Sequence, residues 1–311
     1  MFHVEQIIPF HRKVAIVFVG TQAGRGIMAK VIAIINQKGG VGKTTTAINL
    51  GASLAVAEQR TLIVDFDPQG NASSGLGIDV SKCPTKTVYQ ALSGQAVFLD
   101  ILVSTELPDL FVAPSDCNLS GAEVELVTEL AREHKLRNAI DQVRDRFDYI
   151  LIDCPPSLGL LTINALTAAD SYLVPMQCEY FALEGLSQLQ STVKLIQQAL
   201  NPRLHLEGIL LTMYDSRNNL AKQVSQEVRG HFGDKVFETI IPRNVRLSEA
   251  PSHGKPALLY DIESKGSISY LSVAKEIIGH HLLQRNSAQA AAHIHTPATA
   301  NPAHGPVTTN F

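Results

Sequence analysis

The stretch Lys38-Gly39-Gly40-Val41-Gly42-Lys43-Thr44-Thr45 constrains this chain more than any other. It follows an apolar run, Val31-Ile32-Ala33-Ile34-Ile35, and opens a segment from Thr45 to Ala57 in which Ala47, Leu50, Gly51, Leu54 and Ala55 recur at helical spacing. The pattern reads strand, loop, helix, which is the setting a phosphate-binding loop needs. Glycines let the backbone curl so that successive N–H groups converge on an anion, and the start of the helix adds its positive dipole end. Lys43 is placed to reach β- and γ-phosphates, and the Thr44 hydroxyl to hold Mg²⁺.

The loop departs from the common phosphate-loop pattern at one informative place. Where that pattern has glycine, residue 37 is Gln37, and Lys38 follows as a second lysine. The resulting K-G-G-x-G-K-[ST] string is the deviant Walker A signature. Here the chain resembles the ParA/MinD superfamily of dimerising ATPases, and Asn36-Gln37 makes it most similar to the chromosome-partitioning ParA (Soj) branch. The resemblance implies ATP and Mg²⁺ as cofactors, with residues 38–45 around the phosphates. It also implies a homodimer that sandwiches the nucleotide, in which Lys38 reaches the partner's phosphates.

Two further apolar runs end in carboxylates. Thr61-Leu62-Ile63-Val64-Asp65-Phe66-Asp67 breaks at Pro68-Gln69-Gly70-Asn71, and Tyr149-Ile150-Leu151-Ile152-Asp153 breaks at Cys154-Pro155-Pro156. Buried parallel strands that deliver acids at their carboxyl ends are where α/β sheets place ligand chemistry. Asp67 is the candidate for orienting the attacking water; the bland alternative is that it caps the next turn. Asp65 shares its face if the strand stays regular that far. Asp153 reads as the Walker B aspartate supporting Mg²⁺. D-x-D-P-Q-G-N and D-C-P-P resemble the family's switch I and switch II. Cys154 invites a metal or redox reading, but no glycine-flanked cysteine signature accompanies it.

Elsewhere Thr87–Leu92 reads as a short helix, Leu110–Pro114 as a strand, and Gly121–Ala131 as a helix with Val124, Val127, Leu130 and Ala131 on one face. Tyr172–Met176 and Gly208–Met213 read as strands around a helix whose Leu183, Leu186, Leu189, Val193, Ile196 and Leu200 form a core or dimer stripe. Strand and helix alternate over residues 31–283, so the expected fold class is α/β, a doubly wound, mostly parallel sheet flanked by helices. Lys265–Leu283 is expected as the last amphipathic helix, with Ile268, Leu271, Ala274, Ile277 and Ile278 inward.

A net charge of −3 excludes a surface that is basic throughout, so any nucleic-acid contact must come from a local patch. Arg217 and Arg246 lie in polar loops; from the residues alone, a solvated or salt-bridged arginine is the ordinary reading. The resemblance implies that these two bind double-stranded DNA without sequence preference, and that Met213, Pro242 and Asn244 lie near the adenine. It also implies a ParB-type partner that stimulates slow hydrolysis, and a cytoplasmic, nucleoid-associated location. Stable membrane association is not expected, because no run nears the roughly 18–20 apolar residues that span a bilayer and no basic amphipathic helix ends the chain. The rival readings are a MinD-like membrane-associated regulator of division and a metabolic synthetase on the same fold.

Three segments are expected: an amino-terminal extension over 1–27, a ParA-type ATPase domain over 28–285, and a disordered tail over 286–311. Met28-Ala29-Lys30 resembles the usual start of the family, so residues 1–27 are expected to be non-native; an added edge β-segment over Val14–Val19 is the alternative. Cys83, Cys117, Cys154 and Cys178 show no C-x-x-C pair, so neither a zinc site nor a disulfide framework is indicated. The histidines His293, His295 and His304 read as part of a solvated tail.

Overall fold

The computed structural model describes residues 8–10, 13–15, 28–81 and 86–294. Strands β1 (Ile8–Phe10) and β2 (Lys13–Ala15) pair only with each other, antiparallel. Val14 therefore lies in this small ladder and not at the edge of the large sheet, while Ile16–Val19 fall outside the described residues. The large sheet contains β3 (Lys30–Ile34), β4 (Thr61–Asp65), β5 (Val103–Ser104), β6 (Leu110–Ala113), β7 (Tyr149–Asp153), β8 (Ser171–Gln177) and β9 (His205–Thr212). Its order is β5-β6-β4-β7-β3-β8-β9, parallel throughout except for β5 against β6. The expected doubly wound, mostly parallel sheet is therefore present.

The apolar runs form strands because both of their faces are covered. Every residue of β4 and of β7 is buried, as continuous Val/Ile/Leu runs require. The helices among the described residues are α1 (Lys43–Val56), α2 (Asn71–Gly75), α3 (Val88–Leu92), α4 (Leu119–Glu125), α5 (Lys135–Asp141), α6 (Leu160–Ala168), α7 (Ala182–Ala199), α8 (Asn219–Phe232), α9 (Val245–Glu249), α10 (Ala257–Tyr260) and α11 (Lys265–Ile294). On α7, Leu186, Leu189, Val193 and Ile196 are buried, so its stripe belongs to the core.

Two expected helices are corrected. Gly121–Ala131 is not one helix: α4 ends at Glu125 and a 3₁₀ turn covers Leu126–Thr128, and the row of Val124, Val127 and Leu130 is exposed. Leu119, Ala122 and Leu126 fill the core. On α11, Ile268 points outward, and Tyr270, Val273 and Ala274 take the inward positions. The helix also continues to Ile294, past the expected boundary at residue 285. The stretch Ala288-Gln289-Ala290-Ala291-Ala292 is made of strong helix formers, which explains the continuation. The described residues divide into two units at residue 274, and α11 begins in the first and ends in the second. No helix among the described residues is long and apolar enough to cross a membrane.

Strand register builds the site. Asp153, the last residue of β7, stands opposite Ile34 of β3 on one side and Asp65 of β4 on the other. Two carboxylates and the start of the glycine loop thus meet at the carboxyl end of the sheet.

Candidate functional site: a phosphate loop beside an unsatisfied carboxylate

The loop between β3 and α1 turns on left-handed glycines, Gly40 at φ +74° and Gly42 at φ +90°. A side chain at either position would be strained. A Cβ added to Gly39 or Gly40 would meet nothing within 4 Å, so the loop is uncrowded at these positions. Helix α1 has Gly42 at its N-cap, no side chain capping it and no acid in its first turn. Its first N–H groups therefore remain available to an anion. The Thr212 hydroxyl donates to the Val41 carbonyl at 2.8 Å and ties the loop to β9.

Lys43 lies within this loop, only 7% exposed, and its Nζ donates to the Lys38 carbonyl at 3.2 Å. Burial lowers its pKa, against the attraction of Asp153, Cys154 and Asp67, which favours the charged form. Asp153 is wholly buried, and neither carboxylate oxygen has a hydrogen-bond partner. Burial first, then Asp65 and Asp67, push its pKa well above the usual carboxylate range. The Thr44 hydroxyl and Lys43 oppose that shift, although the hydroxyl satisfies neither oxygen. A buried carboxyl left without partners costs on the order of 1–3 kcal/mol or more.

That orphaned pair of oxygens is what a divalent cation site looks like when it is built for a cation that arrives with its ligand. Among the described residues, no group of three His, Cys, Asp or Glu side chains could hold a metal by itself. A single carboxylate plus the Thr44 hydroxyl fits the hard, oxygen-rich, partly hydrated shell that Mg²⁺ takes next to phosphates.

Asp65 and Asp67 divide their duties differently from the alternation expected of a regular strand. Strand β4 ends at Asp65, so Asp67 sits in the following turn, where its Oδ1 accepts the Gln69 amide at 3.0 Å. The turn-capping role is thus real. Asp67 also lies close enough to Lys43 and Asp153 to act on both electrostatically. Asp65 turns away to Ser73, whose amide and hydroxyl donate to its Oδ2 at 2.8 and 2.6 Å. Burial raises the Asp65 pKa to about 6 against those hydrogen bonds. The Ser73 hydroxyl in turn accepts the Ser115 amide at 3.1 Å. Ser73 escaped the sequence reading because a lone serine eight residues after an aspartate carries no pattern; only the fold of the turn brings them together.

Lys38 is half exposed, and its Nζ forms an ion pair with Glu179, which follows β8. Its amide donates to Asn36 Oδ1 at 3.0 Å, and Asn36 donates to the Pro175 carbonyl at 2.8 Å. Glu179 is the partner that sequence alone did not assign, although its place just past a strand's carboxyl end was visible. Met213 adopts a left-handed φ of +50°, uncommon for its type, and a Cβ on Gly42 would lie 3.9 Å from its Cε. Tyr214 bridges to Pro242, which brings that segment beside the loop. Asn244 caps α9, accepting the Arg246 amide at 2.9 Å.

The two arginines singled out in the sequence lie on different elements, Arg217 in the turn before α8 and Arg246 not in a loop but in the first turn of α9, and both are held by carboxylates of the same chain. Arg217 is 89% exposed and pairs with Asp215 at 2.8 Å; Arg246 pairs with Glu249 at 2.8 Å and Asp261 at 3.1 Å. The 3₁₀ turn Ala250–His253 that follows α9 leads to Gly254, which packs against the chain just past α2. A Cβ on Gly254 would fall 2.7 Å from the Gly77 Cα, so two left-handed glycines pack backbone to backbone.

The chain is similar to several known proteins. The AAA domain family matches residues 29–206. The chromosome partitioning protein ParA of Myxococcus xanthus is 60% identical over 257 residues, covering 83% of this chain and 90% of that protein. The sporulation initiation inhibitor protein Soj of Bacillus subtilis is 59% identical over 253 residues, covering 80% of this chain and 98% of that protein. Among solved structures, a cobyrinic acid a,c-diamide synthase from Mycobacterium smegmatis with bound ADP and magnesium superposes with a TM-score of 0.72. It is 38% identical, with 81% of this chain and 95% of that chain covered.

Proposed function

The chain belongs to the ParA/Soj family of chromosome-partitioning ATPases, and from that premise we propose that it is an ATP-driven switch: with ATP and Mg²⁺ two subunits pair, the pair binds double-stranded DNA without sequence preference, and slow hydrolysis releases it. The observation that carries the reading is the buried Asp153, whose two oxygens lack partners beside Lys43 and an uncapped helix start. Such an arrangement is costly until a cation and a polyphosphate share it.

Each residue has a derivable part. The amides of residues 39–45 and the dipole end of α1 receive the phosphates, and Lys43 adds a fixed positive charge at the β- and γ-positions. Thr44 and Asp153 would hold Mg²⁺, which when bound neutralises charge between the β- and γ-phosphates. Asp67, already fixed by its bond to Gln69, would orient the attacking water; phosphoryl transfer depends mainly on such positioning. Lys38 would exchange Glu179 for the phosphates of the second subunit. That pair is half exposed, so it is cheap to open. Met213, Pro242 and Asn244 would border the adenine. Arg217 and Arg246 would exchange their carboxylates for DNA phosphates, and pairing of subunits doubles their number. A ParB-type protein would stimulate hydrolysis, and the protein would reside on the nucleoid.

The likeness to a diamide synthase favours a second reading, an enzyme that acts on a small metabolite. Identity near 60% to partitioning proteins over nearly their whole length outweighs 38% to the synthase. DNA binding measured with ATP, with ADP and without nucleotide, for the native protein and for Lys38→Ala and Arg246→Ala, tests the switch. The expected result is tight, salt-sensitive binding only with ATP, lost in both variants. Equal affinity in all three nucleotide states would remove the switch reading.

A further inference from the structure

The apolar row that the sequence grouped on one helix face points into water. Val124, Val127 and Leu130 are 75%, 55% and 92% exposed. They are held outward by bonds along the segment: the Glu129 amide donates to the Leu126 carbonyl at 3.0 Å, and the Arg132 guanidinium donates to the Val127 carbonyl. Leu119, Ala122 and Leu126 are buried on the other side of the same segment, so rotating the outer row inward would displace core residues. Exposed aliphatic side chains grouped in this way mark interaction surfaces.

Charge identifies the partner's chemistry. Glu129 and Glu133 are paired with Lys135 and Arg132. Two other carboxylates on α4 have no cation among the described residues: Glu125 accepts only the Tyr89 hydroxyl, at 3.0 and 3.1 Å, and Glu123 only the Leu161 amide, at 3.5 Å. Glu123 moreover lies at the start of α6, where a Cβ on Gly159 would fall 2.4 Å from its Oε1. That start comes three residues after Asp153-Cys154-Pro155-Pro156, so α4 touches the segment that leaves the nucleotide site.

We propose that Val124, Val127 and Leu130 form the docking surface for a basic segment of the activating partner, which sets its apolar residues on this row and its lysines or arginines on Glu125 and Glu123. Engagement of Glu123 loosens its contact with α6 and so passes the partner's arrival to the end of β7. The inference rests on the reading that a ParB-type partner stimulates hydrolysis, and it adds where that partner binds.

The test uses the full chain with ATP, Mg²⁺, DNA and the purified ParB-type protein of the same host, comparing native protein with Val127→Ser/Leu130→Ser and with Glu125→Lys. The expected result is unchanged basal hydrolysis and unchanged ATP-dependent pairing, with stimulation weakened about tenfold in both variants. Full stimulation of both variants would overturn the docking surface while leaving the switch intact. Loss of subunit pairing in the variants would overturn it too, because a second copy would then be the occupant. If the native protein itself is not stimulated, the partner reading fails, and the docking proposal with it. Circular dichroism melts that match the native protein exclude misfolding as the cause of any loss.

Discussion

The two ends of the large sheet treat buried polar groups in opposite ways. At the amino-terminal ends of the strands, Asp170 accepts the Val31 amide at 2.8 Å and both of its oxygens take Arg144 at 2.5 and 2.6 Å. Beside it, the Asn201 side chain donates to the Leu166, Thr167 and Ala169 carbonyls at 2.9, 3.3 and 2.7 Å. At the carboxyl ends, Asp153 has no partner for either oxygen and Ser115 none for its hydroxyl. The Thr167 hydroxyl is the exception at the lower end. Asp170 and Asn201 are satisfied and secure the fold, whereas Asp153 is left for a ligand to satisfy. The difference teaches that stability and activity should be separable by substitution.

The largest expected effect sits at the upper end. Asp153→Asn should lower ATP hydrolysis at least about a hundredfold, on the scale of losing one preorganised electrostatic contact. It should also raise the melting temperature of the nucleotide-free protein by a few degrees, because a buried unpaired carboxylate is removed. Calorimetry and a phosphate-release assay on the same sample read both quantities. A variant that is both inactive and less stable would break the comparison.

Next comes the lower end. Arg144→Ala should cost about 2–3 kcal/mol by leaving Asp170 half-buried and unpaired, with hydrolysis per folded molecule unchanged. Chemical denaturation gives the first and turnover at saturating ATP the second. A comparable loss of turnover would show that the two ends are not independent.

Gly254→Ala should cost a similar amount or somewhat less. The new methyl would sit 2.7 Å from the Gly77 Cα, at a left-handed φ of +65°. Since that contact joins the chain just past α2 to the turn after α9, DNA binding should suffer more than hydrolysis. Filter binding alongside ATPase rates would show the ratio, and an equal loss of both would remove the mechanical link.

The smallest effect concerns pH. Asp65 has a folded-state pKa of about 6, above its ordinary value of 3.8, so the folded state holds more protons between those values. Its contribution to stability is present below about pH 4 and is lost as pH rises through 6; Asp153 acts in the same direction. The nucleotide-free protein should therefore gain melting temperature between pH 7.5 and 5.5, and Asp65→Asn should flatten that slope. Thermal melts across this range decide it.

The strands and the glycine loop were legible because their signals are local: continuous apolar runs for β4 and β7, and a lysine-glycine string between β3 and α1. Lys43, Thr44, Asp67 and Asp153 lie near one another at the carboxyl end of the sheet. What the sequence did not show was set by tertiary competition. Val124, Val127 and Leu130 have the same periodicity as buried residues, yet Leu119, Ala122 and Leu126 occupy the core. The Glu179 partner of Lys38 and the Ser73 partner of Asp65 depend on chain segments that meet only after folding.

In the proposed switch, subunit pairing reports the bound nucleotide through Lys38. Sedimentation velocity of the full chain with Mg²⁺ and a non-hydrolysable ATP analogue tests this most directly. A dimer that reverts to monomer with ADP, and fails to form with Lys38→Ala, is the predicted result; native protein that stays monomeric at saturating analogue would contradict it.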